Sequence, residues 1–260
     1  MAKKSVAKKE APSIKKQERV LTGIPGFDEL CHGGLIRNRT YLLSGTSGAG
    51  KSIFALQYLY NGAIKYNEPG IYVATEERPA EIRQNALNFG WDLKALEDEN
   101  KLALIDACAA KIGVPSKEKY VDVRPLDMRS MMDQLITIQE KINAKRAVVD
   151  SSTSIGFYLM QDLGKIRLEL LKLSTTLEIL GLTSLLTCEV IDGSQISRFD
   201  VENFVTEGTI AIYYKRSENV RTRSIEVYKM RGTDHSHKIH PFEITPKGIV
   251  VHPKEEVFDF

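Results

Sequence analysis

Short apolar runs alternate with longer stretches of helical spacing along most of this chain, and the alternation predicts an α/β fold. Thr40 to Leu43 is an apolar run of strand length, and Ile53 to Tyr66 behind it carries apolar side chains at helical intervals. The pairing recurs. Gly70 to Thr75 predicts a strand, and Ala80 to Asn88 a helix with Pro79 in its first turn. Leu102 to Asp106 predicts the next strand, and Met128 to Ile142 a helix whose Met128, Met132, Leu135, Ile138 and Ile142 share one face. Arg146 to Asp150 is a β-branched strand, Lys165 to Leu180 a helix stopped by Gly181, and Thr183 to Cys188 a further strand. Beyond these, Phe204 to Tyr214, Arg223 to Met230 and Gly248 to His252 read as strands without long helices between them. They predict an antiparallel extension closing a mostly parallel sheet flanked by helices. The polar passage from Lys111 to Pro125 reads as a surface insertion, and no internal repeat is evident.

Composition narrows the class. At 260 residues with 42% apolar content, the chain is long enough for one large domain with a full core. No apolar run approaches the roughly 18 residues needed to cross a bilayer, and the N-terminal lysines precede no apolar stretch, so a cytoplasmic protein without a membrane partner is expected. Cys31, Cys108 and Cys188 lie far apart in sequence and read as buried, reduced thiols. The formal charge is only +2, yet Lys3, Lys4, Lys8, Lys9, Lys15, Lys16 and Arg19 crowd the N-terminus. Residues 1–18 are therefore expected to form a basic, disordered tail before a domain over 19–260. Such a tail serves solubility or attracts nucleic acid, and the composition does not separate the two.

The strongest chemical signal sits between the first strand and its helix. Gly45, Thr46, Ser47, Gly48, Ala49, Gly50, Lys51 and Ser52 form a phosphate loop, with Ile53 opening the helix behind it. Gly45, Gly48 and Gly50 allow backbone dihedrals closed to other residues and bring N–H groups close to phosphate oxygens at a positive helix end. Lys51 is suited to the β- and γ-phosphates, and the Ser52 hydroxyl to a Mg2+ ion carried with the nucleotide. Two further strand ends bear carboxylates. Glu76 and Glu77 follow the second strand, at the sheet edge where α/β folds bind ligands, so either could orient a water; equally, both could serve the helix that starts at Pro79. Asp150 ends the strand from Arg146 and reads as the acid of a Mg2+ shell, or else as a turn-starting Asp before Ser151, Ser152 and Thr153.

Several motifs in order carry a family resemblance. Leu21 to Leu30 reads LTGIPGFDEL and is followed by His32-Gly33-Gly34-Leu35. Next come the phosphate loop, Thr75-Glu76-Glu77-Arg78-Pro79, Val148-Val149-Asp150-Ser151, and Tyr228-Lys229-Met230-Arg231-Gly232-Thr233. On these residues the chain resembles a single-copy KaiC-like ATPase of the RecA superfamily, over about Arg19 to Val251. The resemblance implies a RecA-like P-loop NTPase fold, ATP and Mg2+ as cofactors, and a homo-hexameric ring with ATP between subunits. It implies that Glu76 and Glu77 activate water, that Lys229 and Arg231 reach the γ-phosphate of a neighbour's ATP, and that His235 lies near that nucleotide. An arginine supplied across an interface is a known source of transition-state charge.

Departures from the family pattern shape the functional expectation. Where the two-copy clock protein phosphorylates adjacent Ser and Thr, this chain reads Asn203-Phe204-Val205-Thr206, which makes autophosphorylation doubtful and leaves Ser194, Ser197 and Thr206 as weak candidates. His235, His237 and His240 cluster in sequence, and HxH spacing on a strand would place two rings on one face, but no carboxylate or cysteine completes a metal set. The expected activity is a ring ATPase acting as a regulatory or assembly switch on an unidentified protein partner. The alternative is a RecA relative that binds nucleic acid through its basic tail. No glycine-rich basic loop between Asp150 and Phe204 supports the alternative.

Overall fold

The computed structural model describes residues 17–122, 124, 127–217 and 219–257, so most of the expected tail lies outside the described residues. In chain order the elements are β1 (Arg19–Val20), α1 (Phe27–Leu30), β2 (Leu35–Ile36), β3 (Thr40–Gly45), α2 (Lys51–Lys65), β4 (Gly70–Ala74) and α3 (Pro79–Leu87). Then come α4 (Leu93–Asp98), β5 (Leu102–Asp106), α5 (Ala109–Ile112), β6 (Tyr120–Val121), α6 (Met128–Ile142), β7 (Arg146–Asp150) and α7 (Ser152–Tyr158). The last are α8 (Leu163–Ile179), β8 (Thr183–Glu189), α9 (Glu202–Val205), β9 (Gly208–Ser217), β10 (Val220–Met230), β11 (His240–Thr245) and β12 (Gly248–Val251).

Among the described residues, ten strands form one sheet in the order β12-β11-β10-β9-β3-β8-β7-β4-β5-β6. The run from β9 to β6 is parallel, whereas β10, β11 and β12 are antiparallel to their neighbours, as the alternation of apolar runs predicts. Strand β3 lies inside the sheet between β8 and β9, and all six of its residues are buried. Tyr41 and Leu43 join the core formed with Phe54, Leu59 and Ile82, while Leu42 joins the opposite core with Leu135, Leu170 and Leu173. A one-residue slip would exchange the two faces, each buried leucine contributing roughly 2 kcal/mol, so the phosphate loop springs from a strand with one register.

Helix α6 has the expected bounds for visible reasons. The Asp127 carboxylate accepts from the backbone N–H of Arg129 and Ser130, and Asn143 ends the helix at a φ of 51°. Met128, Leu135, Ile138 and Ile142 are buried as expected, but the fully buried methionine beside them is Met131, while Met132 only packs partly against the core. Another difference lies at 202–217. Phe204 does not begin a strand: Glu202 accepts from the N–H groups of Phe199 and Val201, which turns the chain through α9 and delays β9 to Gly208. Strand β11 and helices α4 and α7 add to the expected elements. Cys31, Cys108 and Cys188 are all free and buried, as expected. No described helix is long and apolar enough to cross a membrane.

Candidate functional site

The carboxyl ends of β3, β4, β7 and β8 meet at one edge of the sheet, and the phosphate-loop residues gather there. Gly48 and Gly50 have φ of 74° and 116°, conformations that side chains disfavour. Gly45 is required for a different reason than expected: its φ is not left-handed, but a Cβ there would lie 2.5 Å from the Ile212 carbonyl oxygen of neighbouring β9. Lys51 opens α2 and donates from Nζ to the carbonyls of Gly45 and Thr46, both at 2.9 Å. Burial lowers its pKa, opposed by the nearby carboxylates of Glu189 and Asp150.

A cleft of about 310 Å3 is lined by Ser47, Gly48, Gly50, Lys51, Ser52 and Ile53 on one side and by Glu76, Asp150 and Glu189 on the other. Asp150, followed by a cis peptide, has each carboxylate oxygen held: Oδ1 accepts from Thr187 Oγ1 and Oδ2 from the Tyr72 hydroxyl. The phenol of Tyr72 is buried, which with the adjacent Asp150 charge raises its pKa far above the usual range, so it remains a donor. Ser52, Tyr72, Asp150 and Glu77 line a second cavity of about 180 Å3 that Glu76 also borders. The Ser52 hydroxyl and an oriented Asp150 carboxylate are hard oxygen donors of the type Mg2+ takes, with remaining positions left to phosphate and water. Among the described residues, no group of three or more His, Cys, Asp or Glu makes an all-protein metal site.

The two glutamates differ. Glu76 Oε1 accepts from Ser151 Oγ at 2.8 Å and Ser154 Oγ at 2.7 Å, and its side chain borders the same cleft as Lys51. Glu77 instead accepts from Asn85 Nδ2 at 2.9 Å; burial, then the charges of Asp150 and Glu81, raise its pKa. Neither lies in the first turn of α3, where the acidic residue is Glu81. Sequence reasoning missed Glu189, for which the available clue was a carboxylate directly after the expected strand Thr183 to Cys188. It also missed Arg223, which lines the cleft, donates to the Gly48 carbonyl at 3.2 Å and stacks 4.1 Å above the Tyr214 ring. Nothing in its local sequence marks it.

Lys229, Arg231 and His235 are not part of this cleft. Lys229 is registered with Thr209 and thence with Leu42. Arg231 N–H bonds the Glu207 carbonyl, and Glu207 N–H bonds that of Thr40. Arg231 thus stands level with the start of β3, roughly 16 Å along the strand from Gly45, and two strands to the side. Its side chain is half exposed, 3.5 Å from the Glu207 carboxylate. Lys229 Nζ donates to the carbonyls of Asn203 and Thr206, and burial followed by repulsion from Arg231 lowers its pKa. The loop after β10 is tied to the N-terminal segment: Arg19 donates to Thr233, and Ser236 N–H to the Leu30 carbonyl at 2.8 Å. His235 and His237 lie in that loop, not on a strand; His240 is buried on β11 between Ser236 Oγ and the Glu255 carbonyl. Ser197 and Thr206 are buried.

Comparison with known proteins extends the picture. The family model described as "ATPase: KaiC" matches residues 20–256. The chain is 43% identical over 237 residues to a UPF0273 protein of Methanocaldococcus jannaschii, covering 91% of this chain and 97% of that one. It is 41% identical over 233 residues to the circadian clock oscillator protein KaiC of Parathermosynechococcus lividus, covering 89% of this chain but only 42% of the clock protein. Among solved structures, a KaiC-like protein from Pyrococcus horikoshii OT3 superposes with a TM-score of 0.79 at 38% identity, over 92% of this chain and all of that one.

Proposed function

We propose, since the chain belongs to the KaiC ATPase family, that it binds and hydrolyses Mg·ATP at a site shared between neighbouring copies of a homo-hexameric ring. The observation that carries this reading is the separation of cations across the sheet. Lys51 stands at the edge with Glu76 and Asp150, whereas Arg231 stands at the other, half exposed and too far to serve its own loop.

In this reading the 45–52 backbone and Lys51 hold the β- and γ-phosphates. Ser52 and Asp150 would hold Mg2+, which when bound offsets phosphate charge. Glu76 takes a proton from water as its oxygen attacks the γ-phosphorus, the bond to the bridging oxygen breaks, and ADP departs. Arg231 of a neighbouring copy meets the charge on the transferring group, with His235 beside the same nucleotide. Lys229, bonded to two carbonyls of its own chain, holds the 203–206 turn beside Arg231 and reaches phosphate only if those bonds exchange. Turnover that depends on assembly suits a regulatory or assembly switch acting on a protein partner.

The test is ATP hydrolysis against protein concentration, with mass read by light scattering. Specific activity rising with a hexamer-sized species supports the shared site; full activity from monomers refutes it.

A further inference from the structure

The polar passage after β5, expected to be a surface insertion, sends one side chain back to the end of β4, beneath Glu76. Lys111 in α5 donates from Nζ to the carbonyl of Thr75, the residue before Glu76, at 2.5 Å, and to Ser154 Oγ at 3.3 Å. Ser154 Oγ lies 2.7 Å from Glu76 Oε1, and Ser151 Oγ 2.8 Å from the same oxygen. The directions of these bonds follow from chemistry. An ammonium has protons and no lone pair, so Ser154 Oγ must accept from Lys111, and its single proton is then directed to Glu76. Ser151 Oγ likewise accepts, from Ser154 N–H at 3.4 Å, and gives its proton to Glu76. Both hydroxyl protons converge on Oε1, which leaves Oε2 as the oxygen open to water. The backbone under the carboxylate is fixed from the same side, by Lys111 on the Thr75 carbonyl and by Cys108 Sγ on the Glu76 carbonyl at 3.2 Å.

We propose that Lys111 is a positioning residue for ATP hydrolysis: acting through Ser154 and the Thr75 carbonyl, it orients the Glu76 carboxylate so that one oxygen faces the attacking water. The proposal rests on the reading of Glu76 as the base. Without Lys111, the Ser154 hydroxyl is free to turn its proton elsewhere, and misplacement of a reacting group by about 1 Å costs on the order of a hundredfold in rate. Lys111 lines neither the phosphate-loop cleft nor the cavity beside it, so its loss is expected to affect turnover and spare nucleotide binding.

The experiment uses the full chain with Mg·ATP under assembled conditions, single-turnover and steady-state. Lys111→Ala is expected to lower kcat by about 10- to 100-fold with KM and the affinity for a non-hydrolysable ATP analogue unchanged. Lys111→Arg, which keeps a donor, restores most of the rate. Added to Glu76→Gln, Lys111→Ala causes no further loss, because the group it aims is already gone. The proposal is overturned if Lys111→Ala turns over at the parental rate, if the loss appears in KM or affinity, or if it multiplies undiminished with that of Glu76→Gln. A parent that binds Mg·ATP and never hydrolyses it would sink the hydrolase reading and this proposal with it, an outcome distinct from an active parent indifferent to Lys111.

Discussion

Replacing the two glutamates one at a time separates their roles. Glutamine keeps the shape of Glu76 and retains a carbonyl oxygen that can accept from Ser151 and Ser154, so Glu76→Gln leaves the pocket standing and removes only the base. A positioned general base contributes roughly 10²- to 10⁴-fold, so kcat is expected to fall by at least about a hundredfold, or some 3 kcal/mol and upward in barrier. Glu77 faces Asn85 and Asp150 instead, and its amide can still bond Asn85, so Glu77→Gln is expected to cost less than about tenfold. The assay is single-turnover hydrolysis at saturating Mg·ATP, with nucleotide affinity measured in parallel. Equal losses from the two variants, or a larger loss from Glu77→Gln, would refute the assignment of the base to Glu76.

Two further perturbations test other parts of the account. Arg146 is buried at the start of β7, bonded to Glu68 through Nε and Nη2 and to the carbonyls of Tyr58 and Leu21. Arg146→Met leaves Glu68 with Arg37 on Oε1 alone and takes this donor from the Tyr58 and Leu21 carbonyls, and is expected to cost about 3–5 kcal/mol in urea unfolding; a loss below about 1 kcal/mol would contradict a buried pair. Glu77 has a folded pKa raised above its ordinary 4.5 by burial and by Asp150 and Glu81. Its protonated form is favoured by folding, so that contribution is complete below pH 4.5 and is lost as pH rises through the raised value. Glu77→Gln should therefore flatten the decline in urea midpoint above pH 4.5, and a parallel pair of curves would count against it.

How much of this was legible in the chain depended on whether the cause was local. The α6 bounds follow from Asp127 and Asn143, and the phosphate loop from glycines within eight residues. Asp150 was visible because an apolar strand delivered it. Lys111 and Arg223 were not visible, since each reaches its partner only after distant strands are brought together: Lys111 to Ser154, and Arg223 to Gly48. The same holds for Gly45, whose need is the carbonyl of Ile212, and for the turn at Glu202, which competes with a strand the local apolar pattern favours. Ser151 reads as part of a turn after Asp150, yet it caps α7, and with Ser154 from the first turn of that helix it holds Glu76.

The shared site is tested most directly by mixing two variants that are each inactive for different reasons. Lys51→Ala lacks a working phosphate loop but carries Arg231; Arg231→Ala carries a sound loop but no arginine to offer. In equimolar mixed rings about a quarter of interfaces pair a sound loop with a sound arginine, so mixing should restore a comparable fraction of parental turnover. No recovery, with mixed assemblies verified by native mass spectrometry, would contradict a site built from two copies.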